Sequence, residues 1–143
     1  MLAHKPDVVF IEFAINDAYL PYGISREDSK KNLNTLIDRI LADNPKTEII
    51  LQTMNSPEHG ADPTASQRPR LTDYVEGYRQ VAKQRNLRLV DHFPHWLKLM
   101  QDTPDEFDKL VPDGARLRAE GYARILIPEL KRVLGAAAPD GGR

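Results

Sequence analysis

Apolar positions switch period along the chain, from unbroken runs to spacings of three and four, and back again. Residues 8–15 are apolar except for Glu12 and rich in β-branched and aromatic types. This predicts a strand covered on both faces, as in a parallel sheet. Ser25 followed by Asp28 resembles a capping box, and Leu33, Leu36, Ile37, Ile40 and Leu41 then recur on one helical face. That helix should stop at Asn44-Pro45, because the residue before proline is steered away from helical dihedrals. Glu48 to Met54 reads as a second buried strand. Leu71, Tyr74, Val75, Tyr78, Val81 and Ala82 mark an amphipathic helix ending near Asn86, and Leu87 to Val90 form a short third strand. Residues 94–110, with Trp96, Leu97, Leu99, Met100, Phe107 and Leu110, predict one or two short helices. Ala119 to Leu134 predict a last helix interrupted by Pro128. The tail from Gly135 to Arg143 reads as disordered, leaving one domain over residues 1–134.

Strands that alternate with helices imply right-handed βαβ units, hence a parallel sheet with helices on both faces. Sites in such sheets form outside the carboxyl ends of the strands. Asn16 with Asp17, Asn55 with Ser56, and Asp91 with His92 all fall at those ends and should share one rim, with Asp113 opening the last helix beside them. The stretch from Asn55 to Pro69 contains four prolines and glycines among small polar residues, so it reads as a long loop, either functional or merely tolerated at the surface.

Composition narrows the chemistry. In 143 residues, 20 Lys and Arg stand against 21 Asp and Glu, so the net charge of −1 leaves no electrostatic footprint for nucleic acid. The absence of cysteine removes disulfides, thiolate metal sites and a cysteine nucleophile. His4, His59, His92 and His95 show no metal-ligand spacing, so neither a metal nor another cofactor is expected. Met1 to Asp7 contain no basic n-region or apolar stretch, and no apolar run approaches the roughly 20 residues of a membrane span. A cytoplasmic location is expected for the chain as written, although a longer N-terminus would allow a leader.

Two segments carry a family resemblance. Phe10-Ile-Glu-Phe-Ala-Ile-Asn-Asp-Ala-Tyr19 is similar to the Gly-x-Asn-Asp block of the SGNH (GDSL) esterases, with Ala14 in place of glycine. Asp113-Gly-Ala-Arg116, continued by Ala119-Glu-Gly-Tyr122, resembles that family's Asp-Gly-x-His block. The resemblance implies a flavodoxin-like three-layer α/β/α fold with a parallel sheet ordered 2-1-3-4-5. This chain supplies what look like strands 3, 4 and 5, so the first two strands are expected to be lacking. It also implies serine-dependent hydrolysis of an ester on a lipid or decorated sugar, with Asn16 as oxyanion donor and Asp113 as the acid that orients the histidine. On local grounds alone Asn16 and Asp17 have a second reading, as the opening of a turn.

At the histidine position stands Arg116, which has no acceptor lone pair and stays protonated at physiological pH, so it cannot act as a general base. Its expected role is a charge-assisted ion pair with Asp113, either single or bidentate. No Gly-Asp-Ser occurs in these 143 residues, so an inactive or nearly inactive pseudoenzyme is the expected state of the chain. A makeshift pair of Ser56 and His92 is geometrically conceivable, but Ser56 lacks a glycine-flanked elbow. His92 beside Phe93, Pro94 and Trp96 reads instead as a hydrogen-bonded structural residue.

Two further groups have alternative readings. Tyr19 to Gly23 either line a pocket beside Asn16 or pack over the sheet rim, and Arg68, Arg70, Arg116 and Arg118 either collect anions or form ordinary ion pairs. With only three strands, the strand at residues 8–15 becomes a sheet edge, blunted by Glu12 alone. Three situations follow: a truncated gene product, self-association through that edge, or a partner segment that completes the sheet. A non-catalytic ligand-binding or protein-interaction module of the same fold is the alternative to the silent esterase.

Overall fold

Val8 to Ile11 alternate between solvent and core, Val9 and Ile11 turning inward while Val8 and Phe10 stay exposed on the opposite face. In the computed structural model, which describes residues 5–55 and 67–135, these four residues form β1. The strand is shorter than the pattern predicts. The chain leaves it at Glu12 and Phe13 and enters a helical turn, α1 (Ala14–Asp17), so Asn16 lies on a helix rather than at a strand end. Ala14, Ile15 and Ala18 are buried in one cluster with Val75 and Tyr78, and the Phe13 amide donates to the Tyr78 hydroxyl at 2.8 Å. Adjacent apolar residues at 14 and 15 therefore belong to a buried turn. A run of buried side chains does not distinguish that from a buried strand.

After a short 3-10 turn at Leu20–Tyr22, α2 (Arg26–Asp43) begins at the predicted cap. The Ser25 hydroxyl accepts from the Asp28 amide at 3.0 Å and donates to the Asp28 carboxylate at 2.8 Å. Here the third residue of the box is Asp in place of the usual Glu, and its carboxylate contacts the cap hydroxyl. Strand β2 (Glu48–Gln52) lies in the middle of a parallel sheet ordered β1-β2-β3, with Phe10 opposite Ile50 and Leu51 opposite Leu89 of β3 (Arg88–Val90). Helix α3 (Leu71–Arg85) ends on Asn86, whose φ of 52° places it in the left-handed region that asparagine tolerates.

The two faces of β2 bury different clusters, as a strand of period two requires. Ile49 and Leu51 pack with Leu33, Ile37 and Ile40 of α2 and Val75, Tyr78 and Val81 of α3. Ile50 packs with Val90, Leu126 and Val133 on the other side. Helices therefore cover both faces and the three-layer α/β/α architecture holds for a three-stranded sheet. Helices α4 (Phe93–Asp102) and α5 (Pro104–Leu110) enclose a third cluster, in which Trp96 meets Phe107 edge to face at 6.1 Å.

The last helical stretch runs as α6 (Ala119–Gly121), a π-helical segment (Tyr122–Leu126) and α7 (Ile127–Gly135). Pro128 thus does not interrupt the helix. It sits in the first turn of α7, and the widened turn before it accommodates a ring that offers no N–H to the preceding carbonyls. Gly135 closes α7, and residues 136–143 of the predicted tail lie outside the described residues. No described helix is long and apolar enough to cross a membrane.

Candidate functional site

The carboxyl ends of the strands are tied together before any functional side chain is considered. The buried Thr53 hydroxyl donates to the Asp91 carboxylate at 3.1 Å and accepts from the Phe93 amide at 3.1 Å, joining the ends of β2 and β3. Asp91 is also gripped by the Arg79 fork, at 2.7 Å from Nε and 3.2 Å from Nη2. Asp17 accepts from the Ser29 hydroxyl at 2.6 Å. Asp91 and Asp17 are therefore held in structural contacts at the rim.

Beyond α5, residues 113–116 form a tight turn built on one carboxylate. Asp113 Oδ1 accepts from the amides of Ala115 at 3.0 Å and Arg116 at 2.6 Å, and Oδ2 from Arg116 Nη1 at 2.9 Å. Those two amides and then the guanidinium hold the Asp113 carboxyl down at about 2. The expected ion pair is present, with one guanidinium nitrogen engaged rather than two. Gly114 has φ of 73°, a conformation that glycine adopts without a Cβ clash, and its carbonyl lies 3.4 Å from the buried Asn55 amide nitrogen. This contact fastens the turn to the end of β2.

A cavity of about 300 Å³ opens between these elements, lined by Glu12, Gln52, Asn55, His92, Arg116 and Tyr122 among others. Asn16 and Asp113 are not among its lining residues. Asn16 is exposed on α1, so the structure brings Arg116, Asn55 and His92 to one cavity and leaves Asn16 outside it. Ser56 lies outside the described residues, as do His4 and His59. Tyr19 packs edge to face on Tyr22 at 5.0 Å, with the Arg68 guanidinium 4.9 Å above its ring. Arg68 also donates to the Ile15 carbonyl at 3.0 Å, while Arg70 pairs with Asp73 at 2.8 Å. Those two arginines serve local contacts.

His92 is 1% exposed, and its Nδ1 accepts from Trp96 Nε1 at 2.9 Å. Accepting at Nδ1 means that the proton of the neutral ring resides on Nε2. Nε2 is buried and has no hydrogen-bond partner among the described residues. Burial pushes the imidazole down to about 4, which keeps it neutral. Glu12 moves the other way: burial raises its carboxyl to about 7, partly offset by the hydrogen bond from Gln52 Nε2 at 3.0 Å.

The structural reading of His92 is right about its Trp96 bond, but Glu12 and Gln52 have no place in the sequence-based site. Their signal is a polar residue one position beyond the paired Ile11 and Leu51 of two apolar strands. The two side chains meet there through the Gln52 Nε2 to Glu12 hydrogen bond.

Residues 1–124 match the model of the GDSL-like Lipase/Acylhydrolase family. Among solved structures, a GDSL-like lipase from Parabacteroides merdae superposes with a TM-score of 0.79 at 21% identity, over 94% of this chain and 62% of its own. A catalytic mutant of Axe2, an acetylxylan esterase from Geobacillus stearothermophilus, gives a TM-score of 0.70 at 20% identity, over 99% of this chain and 65% of its own. A second Axe2 variant, described as an acetyl-xylooligosaccharide esterase, gives 0.72 at 22%. The chain thus spans less than two thirds of these structures, and at such identities they establish the fold. No curated protein matches the chain.

Proposed function

The chain belongs to the GDSL-like lipase/acylhydrolase family, and from that premise we propose that it is an esterase-type domain which, as these 143 residues, does not turn over esters. The observation that supports silence is Arg116. It stands where the family motif calls for a histidine, and it is held by the very carboxylate that would orient that histidine. A guanidinium cannot take a proton from a nucleophile, and the loss of general-base catalysis removes roughly 100- to 10,000-fold in rate. Asn16 and Asp113 are then retained corners of the ancestral site, as oxyanion donor and orienting acid. The ester class would be a lipid or a decorated sugar. Neither a metal nor a cofactor enters this reading.

Labelling with a fluorophosphonate probe tests the proposal. No covalent adduct is expected by intact-mass spectrometry. An adduct that disappears in Ser56→Ala would revive the Ser56 and His92 pair and sink the reading.

A second reading, a non-catalytic ligand-binding or interaction module, is favoured by two features. One is the cavity behind Arg116, whose lining includes the polar side chains of Glu12, Gln52, Asn55 and His92. The other is β1, at the edge of the described sheet, with Val8 at 44% and Phe10 at 45% exposure. Such an edge offers backbone and apolar surface for self-association. Light scattering tests that part: a monodisperse oligomer supports it, and a monomer at high concentration rejects it.

A further inference from the structure

The free side of β1 exposes backbone and apolar side chains at the same two residues. The Asp7 carbonyl accepts from the Glu48 amide at 2.8 Å, so in this parallel ladder Asp7, Val9 and Ile11 turn their backbone groups toward β2. Val8 and Phe10 turn theirs to the open side, and their side chains are half-exposed. Both lie on the face of Ile50, where Leu126 and Val133 cover β2 and β3 but leave β1 bare. On the other face α2 connects β1 to β2 and packs on Val9 and Ile11. Helix α3 adjoins one flank of α2, through hydrogen bonds of Lys30 to Gln80 and of Arg85 to Asn34 and Asp38. The opposite flank presents Asn32, Leu36 and Arg39, which recur on one helical stripe.

We propose that a second copy of this chain occupies this edge, its β1 antiparallel to the first, with Val8 of each copy opposite Phe10 of the other. In an antiparallel ladder the residues that exchange both bonds must be those whose backbone groups point outward. Val8 and Phe10 meet that condition in this register, and they join a β-branched to an aromatic side chain across the seam. A slip of one residue would set the two on opposite faces. A slip of two sets either Pro6, which has no N–H, opposite Phe10, or Glu12 opposite Val8. The two-fold axis then passes between the two Val9 residues, and the two three-stranded sheets become one. Each α2 lies over its own β1 and β2, so the two α2 axes stand two strand spacings apart, about 10 Å. Helices pack at about 8–10 Å, so the Leu36 flanks come into contact. Helix α7 packs on β3, away from the seam, and does not obstruct it.

This pairing rests on the self-association reading and adds the partner, the register and the symmetry. The chain has no cysteine, so a single introduced thiol reports the register without background. Facing residues of a non-hydrogen-bonded antiparallel pair have Cα atoms about 4.5 Å apart, within disulfide reach. Val9→Cys, close in volume to the residue it replaces, should therefore form a covalent dimer under mild oxidation, seen on a non-reducing gel. Phe10→Cys should not cross-link to itself, but should do so when mixed with Val8→Cys. Phe10→Lys, at a half-exposed position, should weaken dimerisation at least about thirty-fold in sedimentation equilibrium, because the residue enters the seam once from each copy. Val9→Cys that stays uncoupled, Phe10→Cys that couples to itself as fast, or an unchanged dimer constant in Phe10→Lys would each overturn the pairing. An oligomer in light scattering with any of these results leaves self-association standing by another surface, whereas a monomer removes both.

Discussion

Glu12→Gln should make this protein more stable at pH 8 and leave its stability at pH 4 nearly unchanged. The native carboxyl titrates at about 7 against 4.5 in an ordinary environment, because burial disfavours its charge. Between those two pH values the folded state holds a proton that the unfolded state has released. Stability therefore falls as pH rises through that window, and the loss is complete above 7. At about 1.4 kcal/mol per pH unit of separation, it amounts to about 3 kcal/mol. His92 runs in the opposite sense. Its native imidazole titrates at about 4 against 6.5, so the unfolded state holds the extra proton and stability rises with pH over that range, also by about 3 kcal/mol. Two opposing slopes overlap, and the intact protein should show little net pH dependence from this pair. Glutamine at position 12 removes one slope and exposes the other. Urea unfolding at half-unit intervals from pH 4 to 8 measures both, with the difference between variant and parent isolating Glu12. A difference that stays constant with pH, or that shrinks as pH rises, would refute the assignment of Glu12 to a buried, charge-disfavouring position.

Further expectations follow from single contacts. Ser25→Ala removes the hydroxyl that caps α2 and should cost about 1 kcal/mol in urea unfolding. Gly121→Ala places a Cβ 3.2 Å from the Trp96 ring and 3.4 Å from the Leu110 carbonyl, which should destabilise by about 1–3 kcal/mol and lower the midpoint of thermal unfolding. Arg116→His restores an imidazole beside Asp113 without supplying a Gly-Asp-Ser nucleophile, so hydrolysis of a nitrophenyl ester should stay at the buffer rate.

The elements that were legible in the sequence are those whose local and tertiary signals agree. Helix α2 has a cap, a periodic face and a proline after its end, and all three hold in the structure. The parallel sheet follows from three apolar runs separated by helices. The exit from β1 was not legible, because Ala14 and Ile15 are buried by α3 and burial alone carries no period over two residues. Pro128 misled for another reason: a missing N–H interrupts a helix only where no wider turn absorbs it, and Tyr122–Leu126 supply that turn. The family blocks identified Asp113 and Arg116 as neighbours, and the turn at 113–116 joins them through three hydrogen bonds. The cavity was illegible because its lining joins the ends of β1 and β2 to a residue after β3 and a turn that follows α5. No sequence motif spans those separations.

The central claim is that an arginine in the histidine position leaves an esterase-type domain without its base. Steady-state hydrolysis of nitrophenyl acetate by the purified chain tests it most directly. A rate indistinguishable from buffer is expected at every pH from 6 to 9. Saturable turnover that scales with protein concentration and survives in Arg116→Ala would contradict it.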